Sequence, residues 1–138
     1  MITKMSHSTI YVLDQDAALD FYVNKLGFQV HTDAPMGPNF RWVTICTKEA
    51  PDFEIILMKV SKEFMKDDDS YNQLKSLVEK GKMGAGVFET NDCRATYEEL
   101  KAKGVEFLSP PEERFYGIEA VMKDNSGNWF SVTETAKK

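Results

Sequence analysis

Hydrophobic and polar residues along this chain switch between two periods. From His7 to Asp14 they alternate, with Ile10 and Val12 set against His7, Thr9 and Tyr11, the pattern of a strand with one apolar face. From Ala17 the spacing lengthens, and Ala18, Tyr22 and Leu26 form a helical stripe. Asp14 and Asp16 offer caps at the start of that helix, and Gly27 offers a left-handed stop at its end. Three strands are predicted next, over 28–32, 40–46 and 52–58, separated by Pro35-Met-Gly-Pro38 and Glu49-Ala-Pro51. The order is βαβββ.

The same order returns in the second half. A strand is predicted over 85–90, and Asp92 caps a helix over 93–103 whose apolar side is Tyr97 and Leu100. Gly104 then stands where Gly27 stands in the first copy, followed by strands over 105–108, 117–123 and 128–133. Between the copies, Ser70 is placed to cap a helix carrying Leu74, Leu77 and Val78, with Lys66-Asp-Asp-Asp69 as a solvated turn before it. The chain reads as one domain over 1–138: module one at about 5–60, a connecting segment with a short helix at about 61–82, and module two at about 83–134.

Each helix must cover one face of its own strands, so the opposite faces are left to line something else. Those faces carry His7, Tyr11, Glu54 and Met58 in module one, and Glu119, Trp129 and Ser131 in module two. Alternation alone leaves open whether Arg41 or Trp42 points the same way. The expected fold is α+β, two βαβββ modules whose sheets form a single cup-shaped pocket, mostly apolar with a few converging polar groups. Tyr116, in a loop after Pro110-Pro111, is placed at its rim. Arg41 is a candidate for holding an anionic group of a ligand, although an exposed strand arginine is the commoner role. His31 falls in an irregular polar stretch and reads as surface.

Composition narrows the function classes. Hydrophobic residues make up 42% and charged residues 28% of the chain, which excludes long disorder. A net charge of −5 argues against nucleic acid or an anionic membrane as partner. No apolar run reaches the length of a membrane span, and no signal-peptide pattern opens the sequence. Cys46 and Cys93 stand alone without metal-binding spacing, as expected of free thiols in a reducing, cytoplasmic setting.

The segment from His7 through Ala18-Leu-Asp-Phe-Tyr-Val-Asn-Lys-Leu-Gly27-Phe28 resembles the opening of the vicinal oxygen chelate superfamily, which includes glyoxalase I, bleomycin and fosfomycin resistance proteins and extradiol dioxygenases. Tyr97-Glu-Glu-Leu-Lys-Ala-Lys-Gly104 and Asp124-Asn-Ser-Gly127-Asn-Trp129-Phe130 resemble the two motifs of its second module. The resemblance implies a homodimer and, in the enzymes, a divalent zinc, iron, nickel or manganese ion held by four positions. Carried onto this chain, those positions are His7, Glu54, Ala85 and Ser131. Alanine offers no donor and a serine hydroxyl is a weak one, so the expected cofactor is none, with Glu119 the only nearby substitute ligand. The expected function is binding of a small molecule in the cup, involving His7, Tyr11, Arg41, Glu54, Met58, Tyr116, Glu119, Trp129 and Ser131. The alternative is a lactoylglutathione-lyase-like or extradiol-dioxygenase-like enzyme with His7 and Glu54 as catalytic or metal-binding residues; a purely structural module is the third reading.

Overall fold

The computed structural model describes residues 1–136. Eight strands form two separate four-stranded sheets. In the first, β1 (His7–Val12), β2 (Gln29–Pro35), β3 (Arg41–Cys46) and β4 (Glu54–Lys59) are ordered β1-β4-β3-β2. In the second, β5 (Gly84–Glu89), β6 (Phe107–Arg114), β7 (Gly117–Lys123) and β8 (Trp129–Thr135) repeat that order as β5-β8-β7-β6. Each first strand pairs in parallel with the last strand of its module, and the remaining neighbours are antiparallel. The chain is thus an α+β fold of two βαβββ modules.

Local chemistry sets the helices. Asp14 caps α1 (Gln15–Leu19) by accepting from the Ala17 amide, and Asp92 caps α4 (Cys93–Ala102) by accepting from the Ala95 amide. Helix α1 runs on into a wider π-type turn, Asp20–Lys25. Gly27 and Gly104 close the two units at φ of +82° and +90°, where a side chain would be strained. Three elements depart most from the sequence pattern. Helix α3 (Asp68–Glu79) starts before Ser70, because Asp67 is its cap and Asp68 and Asp69 in the first turn suit the positive end of the helix. A short helix α2 (Lys62–Met65), capped by Ser61, precedes it. Strand β6 continues through Pro110 and Pro111, where a loop was expected. It lies at the sheet edge with register shifts on either side of Ser109, so the missing N–H groups break no central ladder.

One core serves both modules. Ile10, Val12, Val43, Ile45 and Leu57 of the first sheet join Met122, Phe130 and Val132 of the second, with Tyr22 of the π turn and Leu100 of α4 between them. Tyr22 meets Phe130 edge-on at 6.2 Å, and Phe28 meets Phe88 at 5.3 Å. A polar latch crosses the same boundary. Asp124 is buried; one of its oxygens accepts the amides of Ser126, Gly127 and Asn128, and the other accepts the Tyr22 hydroxyl at 2.7 Å and the Asn128 side chain. Asn128 also donates to the Tyr11 carbonyl, and the Ser126 hydroxyl accepts from the Leu13 amide. Because both helix-covered faces converge on this shared core, the other face of each sheet is turned away from it.

Candidate functional site

The outward face of the first sheet is fixed by register. His7 pairs with Glu54, Thr9 with Ile56 and Tyr11 with Met58 in the parallel β1–β4 ladder, so all six side chains share the face opposite Ile10 and Leu57. Thr44 is opposite Ile56 in β3, which puts Trp42 and Thr44 on that face and Arg41, Val43 and Ile45 on the helix side.

Glu54 is the centre of the polar cluster there. Its side chain is only 14% exposed. One oxygen meets His7 Nε2 at 2.8 Å; the other meets His31 Nδ1 at 3.0 Å and accepts the Thr44 hydroxyl at 2.8 Å. The Ser6 hydroxyl lies 2.7 Å from His7 Nδ1, so both ring nitrogens of His7 have partners. Thr44 is fully buried, and the Trp42 ring is 6.4 Å from that of His7. A partly buried carboxylate needs such donors, and here it has three.

His31 is the member that sequence reading missed. It is 45% exposed, in keeping with a surface residue, yet it reaches Glu54. The β2–β3 register shifts between Val30 and Thr32, leaving His31 as the extra residue of a β-bulge. Bulges re-aim side chains in this way. The sequence signal was its place inside the strand predicted over 28–32, and alternation does not reveal a bulge.

The second cluster lies on the outward face of the other sheet. Val121 pairs with Ser131 and Glu119 with Thr133. Glu119 accepts hydrogen bonds from Tyr116 at 2.7 Å and from Ser131 at 2.5 Å, and Ser131 is in turn 2.7 Å from the Thr133 hydroxyl. The Ser131 and Tyr116 hydroxyls, in that order, hold the Glu119 carboxyl below its ordinary range. The same bond raises the Tyr116 phenol above its own. Trp129 is on this face, two residues before Ser131 and 37% exposed. Phe115, at the β6–β7 hairpin tip beside Tyr116, is 97% exposed.

The structure therefore joins His7 to Glu54 and Tyr116 to Glu119 and Ser131. Among the described residues no hydrogen bond or ion pair joins the first cluster to the second. Arg41 stands apart from both. Its guanidinium grips Asp33 through two 2.8 Å bonds and Asp16 through a third, and its carbonyl accepts from the buried Gln15 side chain. The Arg41 fork lowers the Asp33 carboxyl. Arg41 also borders a cleft of about 450 Å³ with Gln15, Phe40, Lys59 and Ser61, on the side away from His7. It fastens the β2–β3 hairpin to the start of α1.

The four-ligand arrangement that the resemblance implied does not fit this donor set. Ala85 falls at the register shift between Gly84 and Gly86 and packs on the core; the residue paired with Ser131 is Val87. Neither side chain has a donor atom. The Ser131 hydroxyl is committed to Glu119. Among the described residues no group of three His, Cys, Asp or Glu side chains is arranged to hold a metal ion.

Comparison with known proteins now adds to this geometry. Residues 4–132 match the model of the Glyoxalase/Bleomycin resistance protein/Dioxygenase superfamily. The chain belongs to this superfamily. The superfamily chain is 35% identical to YetH of Bacillus subtilis (strain 168) over 134 residues, covering 97% of this chain and all of that one. Among solved structures, UcmS2 is 44% identical with a TM-score of 0.90, covering 96% of this chain and 98% of its own. TnmS3, described as an antibiotic binding protein from Streptomyces sp. CB03234, shares the fold at 24% identity, a TM-score of 0.77 and 98% coverage of both chains. Among the described residues no helix is long and apolar enough to cross a membrane.

Proposed function

We propose that this superfamily member binds a small organic molecule against the outward sheet faces, without a metal ion. The observation that carries the reading is Glu54: both of its oxygens are occupied by the protein's own donors, amid Trp42, Ile56 and Met58. A few fixed polar groups within an apolar surface are what orient a ligand. The antibiotic binding ascribed to TnmS3, on the same fold, supports a binding role.

The working unit of this reading is a homodimer in the cytoplasm. One chain presents its two polar clusters on faces turned away from a common core, so a cup lined by both needs module one of one copy to face module two of another. Val87, 69% exposed, and Trp129 supply apolar surface on the module-two side of such a cup. His7, Tyr11, Glu54 and Met58 would then face Tyr116, Glu119, Trp129 and Ser131 of the second copy. The two cysteines are buried and free, which suits a reducing compartment.

A thermal-shift screen of a natural-product library tests this reading on chelator-treated protein, with parallel samples given zinc, iron, nickel or manganese. Compounds that raise Tm equally with and without metal are the expected result. Stabilisation confined to metal-loaded samples, together with lyase or dioxygenase turnover, would overturn it.

A further inference from the structure

The two outward carboxylates are already satisfied by their own neighbours, so neither offers a vacant oxygen as the anchor for a ligand. Glu54 receives His7, His31 and Thr44, and Glu119 receives Tyr116 and Ser131. What the first face does offer follows from its hydrogen-bond bookkeeping. Glu54 Oε1 and the Thr32 hydroxyl oxygen each lie 3.0 Å from His31 Nδ1; a carboxylate can only accept and a hydroxyl can accept beside it, so the arrangement that pairs Nδ1 with both puts the proton on Nδ1. In the neutral ring this makes Nε2 an acceptor with its lone pair free. His7 is oriented the other way: its Nε2 faces Glu54, and its Nδ1 accepts from the Ser6 hydroxyl. His31 Nε2 has no hydrogen-bond partner among the described residues, and its ring is 45% exposed.

The backbone supports the same conclusion independently. The bulge in β2 carries His31 out of the regular ladder and onto Glu54; regular pairing would give it a Cα partner in β3, and it has none. A bulge disrupts the ladder locally, and such irregularities recur where a side chain is re-aimed at a site.

We propose that His31 Nε2 accepts a hydrogen bond from a hydroxyl or N–H group of the bound small molecule, with Glu54 as the positioning residue that fixes the tautomer. This rests on the small-molecule reading above and names the ligand chemistry it requires: a hydrogen-bond donor on an apolar body. A compound whose polar atoms are all acceptors would meet the Nε2 lone pair and be disfavoured.

The test uses uniformly 15N- and 13C-labelled full-length protein, with benzyl alcohol and benzyl methyl ether as matched probes that differ in the donor. In the free protein, the His31 ring signals should show the proton on Nδ1 and an unprotonated Nε2. Benzyl alcohol should move the His31 Nε2 signal, and the ether should move it far less. His31→Phe, at an exposed position where folding is retained, should lower the preference for alcohol over ether by roughly three- to tenfold, the value of one hydrogen bond. A proton found on Nε2 would overturn the proposal. So would equal binding of alcohol and ether, although shifts at Trp42 and Met58 would then leave the small-molecule reading standing. If neither probe shifts any of these signals, both the proposal and that reading of the face fall together.

Discussion

Replacing Asp124 with Ala should lower Tm by roughly 10–15 °C, the largest effect of any single side chain away from the apolar core. Asp124 accepts five hydrogen bonds from groups that the fold has removed from water: three successive amides, the Tyr22 hydroxyl and the Asn128 side chain. Truncation leaves all five donors to find other partners, and a buried unpaired donor costs about 1–3 kcal/mol. The loop can tilt its amides toward water, but Tyr22 is fully buried and its hydroxyl cannot follow. A net loss of about 3–5 kcal/mol is expected, in line with the removal of one partner from a buried charged network. Tyr22→Phe is the control. It removes one donor while Asp124 keeps four, and should cost about 1–2 kcal/mol. Burial, reinforced by the Asp124 charge and hydrogen bond, raises the Tyr22 phenol well above its ordinary value. A raised value means the neutral phenol is favoured by the fold. Its stabilisation is complete below the unfolded value near 10 and is lost as pH rises further. Thermal melts of wild type and both variants, followed by circular dichroism, measure these differences. An Asp124→Ala protein melting within a few degrees of wild type would show that the latch is not what joins the modules.

Glu54→Ala should combine a smaller loss of stability with a large loss of binding. Thr44 is fully buried, and its hydroxyl donates to Glu54, so the variant leaves one buried donor unpaired at a cost of about 1–3 kcal/mol. His7 and His31 are 36% and 45% exposed and can turn to water at little cost. Losing both orientations at once removes the fixed polar groups of the face. A ligand found in the screen should therefore bind at least tenfold more weakly, while the protein remains folded. Titration of that ligand into wild type and variant, alongside their melting curves, separates the two effects. Equal affinities would place the ligand elsewhere, the cleft beside Arg41 being the first region to examine.

Much of the fold was legible because it is written locally. Asp14 and Asp92 cap helices through their own side chains, Gly27 and Gly104 end them by backbone conformation, and alternation in β1 and β4 assigns His7 and Glu54 to one face before any pairing is known. The clusters depended on information that sequence periodicity lacks. The direction of Arg41 is set by Asp33 and Asp16 on neighbouring elements, and nothing in β3 itself distinguishes its two faces. His31 reaches Glu54 only because the β2–β3 ladder slips by one residue. Ala85, the position that the resemblance implied, lies at a second such slip, which puts Val87 beside Ser131. Pro110 and Pro111 read as a break because the edge position of β6 is a property of the sheet.

The most direct test of metal-free ligand binding is the dissociation constant of the strongest screening compound, measured by calorimetry on chelator-treated protein. The same titration is then repeated after reloading with zinc, iron, nickel or manganese. The account predicts saturable binding at one site per chain, with an affinity that metal leaves unchanged. Binding that appears only after a metal is restored would contradict it.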